Sequence, residues 1–228
     1  MPRTKKILIA LTSHGELGDT GRPTGFYLPE VAQPWKVFTD HGYEVDLVSV
    51  RGGEPPMIGH DTDDPVHTAF LADAEMSAQL AHTPRPDQVS AADYDAVYYA
   101  GGHGTMWDFT GVAPALARLA TDIYEAGGVV SALCHGPAAL LDIRLSDGTA
   151  LVEGKRLTAF TNEEEAAVEL TDVVPFALQD ALQELGAKHE GAKAFTTHVV
   201  VDGRLVTGQN PASATAAAEA VVRVLSAA

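Results

Sequence analysis

"GGVVSALCHGPAALL", residues 127 to 141, is the stretch on which the fold turns. A glycine pair ends whatever precedes it, "VVSAL" is a short apolar run rich in β-formers, and "HGPAALL" opens a helix after a very short turn. A buried strand that passes straight into a helix is the building unit of an α/β sheet covered on both faces. Cys134, the only cysteine in the chain, stands at that junction.

The same alternation recurs on both sides. Upstream, "KKILIALTS" (5 to 13) reads as a buried first strand. "GFYLPEVAQPWKVFTDHG" places Val31, Trp35, Val37 and Phe38 at helical spacing and stops at Gly42, and "YEVDLVSV" (43 to 50) is a second strand. "YDAVYYAGG" runs as a strand into a glycine loop, and "APALARLATDIYEAGG" is a helix with a glycine stop. Downstream, "GTALVEGKRLTAF" (148 to 160) is expected to form a hairpin, and "DVVPFALQDALQELGA" a helix ending at Gly186. "HVVVDGRLVTGQNP" is expected to fold as two strands around Asp202-Gly203, and "ASATAAAEAVVRVLSAA" as a closing helix.

Strands alternating with helices imply right-handed crossovers, so the expected fold is a doubly wound α/β sandwich with a mainly parallel sheet. Ligands bind such sheets at the carboxyl ends of the strands, which brings together residues 12 to 30, residues 100 to 108 and the turn at Cys134. Residues 51 to 89 carry Pro55, Pro56, Pro65, Pro84 and Pro86, the acidic "HDTDDP", and one expected helix, "TAFLADAEMSAQLAH". They read as an insertion or cap with too few apolar residues for a core of their own. One domain, 1–228, is therefore expected.

Composition narrows the function classes. The formal net charge is −16, which repels phosphate backbones and anionic lipid and argues against nucleic-acid or membrane-surface binding. One cysteine allows no intramolecular disulfide. The first residues, "MPRTKKILIALTSHG", hold an apolar run too short to span a membrane and no small-residue cleavage site, so a cytoplasmic protein is expected.

A lone buried cysteine is ordinarily a small hydrophobe. At a strand-to-helix elbow, however, a side chain is held clear of the backbone above a helix N-terminus, which suits a nucleophile and should lower the thiol pKa. A negative neighbour would oppose that shift. His135 is either a proton carrier for this thiol or an ordinary polar residue at a helix start. In "AGGHGTMWDF", Gly101, Gly102 and His103 belong to a loop able to present backbone N–H groups to a developing oxyanion, with the His135 amide as partner. The loop lacks the spacing of a dinucleotide or phosphate fingerprint. Glu30 is a solvated charge or, if turned toward the sulfur, a proton shuttle with a raised pKa. Aromatic bulk in "PTGFYLPE" and "TMWDF" is expected to close a small pocket.

"LTSHGELGDTGRPTGFYLPEVAQPW", "AGGHGTMWDF", "ALCHGPAAL", "LTAFTNEEEAAV" and "DGRLVTGQNPASA" together resemble the DJ-1/ThiJ/PfpI superfamily, in its Hsp31-like, glyoxalase III-type branch. The resemblance extends from near residue 7 to near residue 220. It implies a flavodoxin-like sandwich, commonly a homodimer, with Cys134 as nucleophile, Glu30 beside it, His135 as its partner, and a carboxylate after the motif that reads "TAFTNEEE" here. Glu165 is the best match for that carboxylate, with Glu163 and Glu164 crowding the same place. It further implies a cofactor-free, metal-free conversion of a small 2-oxoaldehyde such as methylglyoxal to a 2-hydroxy acid. A holdase or deglycase-like role, a peptidase and an isonitrile hydratase are the alternatives that relatives of this kind bring with them, and a redox sensor is a further one because an exposed thiol of low pKa oxidises readily.

Overall fold

A computed structural model describes residues 3–227. In chain order the strands are β1 (Lys6–Leu11), β2 (Phe26–Tyr27), β3 (Glu44–Ser49), β4 (Met57–Ile58), β5 (Ala96–Tyr99), β6 (Val129–Leu133), β7 (Arg156–Leu157), β8 (Lys188–His189), β9 (Val199–Asp202) and β10 (Leu205–Gly208). The helices are α1 (Pro29–Asp40), α2 (Pro65–Ala72), α3 (Ala74–Ala81), α4 (Thr105–Asp108), α5 (Pro114–Glu125), α6 (Asn162–Ala167), α7 (Leu178–Glu184) and α8 (Ala214–Ala227).

Six strands form the central sheet in the order β3-β1-β5-β6-β10-β9. All neighbours are parallel except β9 and β10, the hairpin that Asp202-Gly203 makes possible. The register pairs Ile9 with Leu47 on one side and with Tyr98 on the other. Alternate residues of each strand face opposite layers: Ile7, Ile9 and Tyr98 pack with α1 and α8, whereas Leu8, Ala10, Val97 and Tyr99 pack with α5 and α7. Burial on both faces explains why these strands read as unbroken apolar runs.

The structure corrects three local expectations. Residues 148–160 form no hairpin: 151–154 are turns, and β7 pairs in parallel with β8 instead. The expected helix over 68–82 is two helices that meet at Asp73, whose carboxylate accepts from the amides of Glu75 and Met76 and so caps α3. The helix after the cysteine is a 3-10 helix, Gly136–Asp142, with Pro137 in its first turn. Within residues 51–89, α2 packs on α1, α3 packs on β3, and β4 pairs with β2, so this segment closes one side of the sheet's carboxyl end. Among the described residues no helix is long and apolar enough to cross a membrane.

Candidate active site

Cys134 follows directly on β6 and has φ 60, a left-handed conformation that costs a β-substituted residue about 1–3 kcal/mol. The surroundings hold it there. Its amide donates to the Gly208 carbonyl at 2.9 Å, and its carbonyl accepts from the Phe160 amide at 2.8 Å. Two residues on, Gly136 lies so close to β5 that a Cβ would strike the Tyr99 carbonyl oxygen. The elbow is therefore pressed between strands, and it aims the thiol out of the sheet.

Glu30, in the first turn of α1, is completely buried. Neither of its oxygens has a well-formed hydrogen bond; the nearest polar groups are the Cys134 thiol and the Gly101 amide. Gly101 makes this approach possible, since a Cβ there would collide with the Glu30 carboxylate and lie 2.8 Å from the Cys134 Cβ. Burial raises the Glu30 pKa to about 8, against the opposing pull of its two neighbours.

The thiol pKa moves opposite to the expectation from the elbow. Burial and then the negative charge of Glu30 push Cys134 well above its ordinary value, and the His135 amide directed at it does not compensate. Burial of the thiol is the main physical reason, and the proximity of Glu30 adds to it. When Glu30 is protonated, that repulsion is gone and its O–H can donate to sulfur instead.

His135 is also completely buried. Its Nδ1 lies 3.4 Å from Cys134 Sγ, and its Nε2 lies 2.7 Å from Glu165 Oε2. The other Glu165 oxygen is 2.8 Å from His103 Nε2. Burial works to raise the Glu165 pKa, but hydrogen bonds from His103 and His135 outweigh it and hold the group at about 2. Burial, with His103 alongside, lowers His135 to about 4 despite the carboxylate. An ionised acceptor facing a neutral ring fixes the Nε2–H tautomer. Nδ1 is left as a lone pair toward the sulfur, the arrangement of a general base with its orienting acid.

Of the three adjacent glutamates only Glu165 reaches this histidine. Glu163 is exposed, and Glu164 is buried on other partners. Gly102 has φ 107, and its carbonyl accepts from Thr105, while the Gly101 carbonyl accepts from the Tyr27 amide at 3.1 Å. His103 therefore enters the site through its ring, on Glu165. His103, His135 and Glu165 also present three ligand atoms within 4.8 Å of one another, a donor set that a divalent cation could use; here the carboxylate accepts from both rings.

These groups border a cavity of ≈ 250 Å³ whose walls include Tyr27, Ile58, Phe160, Val168, Phe195 and Pro211. Tyr27, Phe160, Val168 and Pro211 lie in the stretches that carry the family resemblance without having been expected as site residues, and Ile58 and Phe195 lie outside them. Tyr27 alone falls within an aromatic stretch expected to close the pocket, "PTGFYLPE". The other stretch, "TMWDF", turns elsewhere: Trp107 stacks on His14 at 5.0 Å.

A buried thiol on a strained strand-to-helix elbow, set between a carboxyl group and a histidine-carboxylate pair, defines an α/β-sandwich protein of the cysteine-elbow class. The chain belongs to the DJ-1/PfpI family, which matches residues 23–224. It is 34% identical to glyoxalase 3 of Candida albicans over 95% of this chain and 97% of that protein. It is 35% identical to the glutathione-independent glyoxalase HSP31 of Saccharomyces cerevisiae over 92% and 93%. Among solved structures, the rapid encystment protein of Francisella tularensis superposes with a TM-score of 0.93 at 38% identity, covering 97% of this chain and 99% of that one. Glyoxalase III of Candida albicans superposes with a TM-score of 0.89 at 31% identity, covering 96% and 97%.

Proposed function

We propose that this protein is a glutathione-independent glyoxalase that converts methylglyoxal or a related 2-oxoaldehyde, with water, to a 2-hydroxy acid. The observation that carries this reading is the placement of Cys134 between Glu30 and His135 in a small cavity, with an acid of raised pKa on one side and a neutral base on the other. The names of the most similar curated relatives support it.

Cys134 passes its proton to His135 Nδ1, and the thiolate adds to the aldehyde carbon. The new oxyanion takes the proton of Glu30, completing a hemithioacetal. That transfer leaves Glu30 as the carboxylate it must be to draw the proton from C1. His135 returns its proton to the C2 oxygen, giving an enediol; Glu30 then delivers its proton to C2 and takes up the one the C1 hydroxyl loses, which forms the thioester carbonyl and restores the protonated acid. The resulting thioester is cleaved by water activated at His135, releasing the 2-hydroxy acid and the thiol. Cys134 thus does the work that glutathione does in a two-component system.

The deciding experiment incubates wild type and Cys134→Ala with methylglyoxal in the absence of glutathione and assays each lactate enantiomer. Lactate from the wild type alone is the expected result, and the enantiomer formed reports which face of the enediol Glu30 serves. Equal lactate from both proteins, or none from either, ends the proposal.

A further inference from the structure

Glu164 takes no part in the chemistry above, yet it is completely buried and its carboxylate receives four hydrogen bonds. Oε2 accepts from the Thr161 amide at 2.9 Å and its hydroxyl at 3.0 Å. Oε1 accepts from the Phe195 amide and from Asn210 Nδ2, both at 2.8 Å. Asn210 donates in addition to the Thr196 carbonyl at 2.8 Å, so the backbone is tied down on both sides of the Phe195 side chain. Phe195 itself has φ 58 and is 48% exposed.

A phenylalanine half in water, in a left-handed conformation, carries two costs, and a buried, fully hydrogen-bonded side chain is committed to keeping it there. Its position gives those costs a purpose. Phe195 borders the cavity that holds Cys134, its ring 6.2 Å from that of Phe160, and Val168, also partly exposed, borders the same cavity. Tyr27, Ile58 and Pro211 extend the apolar wall. At about 30 Å³ per water-sized group, the cavity is larger than the five heavy atoms of methylglyoxal require. The reacting carbons must lie by Cys134, Glu30 and His135, so the remaining room is apolar and reaches solvent at Phe195.

We infer that Phe195 is a specificity-determining residue that selects 2-oxoaldehydes whose C2 substituent is apolar and larger than methyl. The substrate class rests on the glyoxalase reading; the role of Phe195 as an apolar contact at the cavity mouth does not. A phenyl or alkyl group at C2 lies against Phe195 and Phe160, whereas the hydrogen of glyoxal reaches neither.

The test compares wild type, Phe195→Ser and Phe195→Leu. One measurement is kcat/KM for phenylglyoxal and for glyoxal, from the mandelate and glycolate formed. The ratio of the two should favour phenylglyoxal in the wild type, fall roughly three- to tenfold in Phe195→Ser, and largely return in Phe195→Leu. An unchanged ratio in Phe195→Ser overturns the inference. A second measurement is the alkylation rate of Cys134 by N-benzyl iodoacetamide relative to iodoacetamide, each normalised to a free thiol. If wild type forms no hydroxy acid from either aldehyde, the glyoxalase reading fails and this ratio decides. A fall in Phe195→Ser sustains the apolar contact, and no fall overturns it. Where both readouts are measurable, the turnover ratio decides.

Discussion

Glu30 and Cys134 face each other across bare glycine backbone, and both are pushed toward their protonated forms. A carboxyl group that is protonated at neutral pH can give a proton first and take one afterwards, as an aldehyde-to-acid isomerisation requires. Glu30→Gln should therefore leave Cys134 open to iodoacetamide while lactate formation falls at least 100-fold; turnover at the wild-type rate in that variant would remove the shuttle. The same residue affects stability. Its pKa is near 4.5 in an unfolded chain and about 8 when folded, so its favourable contribution is complete below pH 4.5 and is lost as pH rises toward 8. The full change is on the order of 5 kcal/mol. Glu30→Gln does not titrate, so its melting temperature should gain on that of the wild type between pH 5 and pH 8; parallel melting curves across that range would contradict the raised pKa. Glu165→Gln keeps the shape but loses the charge that orients His135, and its rate should fall by about 10²–10⁴, less than that of Cys134→Ala. Equal loss would mean that the carboxylate does more than orient. At this scale the elbow motif made Cys134 legible, and Glu165 was the favoured one of three neighbours. The thiol pKa was not legible, because it depends first on how deeply the sulfur is buried and then on a residue 104 positions away being packed against it.

The elbow works as an element because β5, β10 and the loop at Phe160 confine it. Gly136→Ala would drive a methyl group into the Tyr99 carbonyl, and overpacking of that kind costs about 1–3 kcal/mol. The expected drop in melting temperature is several degrees, accompanied by slower alkylation of Cys134; a variant as stable and as reactive as wild type would show that the turn can relax. Element boundaries were readable where apolar period and glycine stops agreed, as in α1, α5 and the β9–β10 hairpin. They failed where neighbours outside the segment decided. "GTALVEGKRLTAF" has a hairpin's composition, yet Lys155 and Leu157 bond instead to the segment around β8, through Lys188 and Glu190. Asp73 divides what reads as one helix because its carboxylate caps the second half, a local choice that apolar periodicity does not register.

For the whole molecule, the net charge of −16 disfavours polyanionic partners, and among the described residues no helix is long and apolar enough to cross a membrane. The family resemblance leads us to propose a homodimer, and sedimentation equilibrium should return twice the chain mass; a single-chain mass would refute it. What the sequence determined by itself was the α/β alternation, the parallel sheet and the end of it where chemistry must lie. Those follow from the period of apolar residues and from glycine stops, both written in short windows of the chain. Tertiary structure alone decided that Glu164 is bound by Thr161, Phe195 and Asn210, that burial raises both Glu30 and Cys134, and that Phe195 and Ile58, from segments with no recognisable motif, line the cavity. Each depends on distances between residues far apart in the chain, and those distances exist only once the layers have packed.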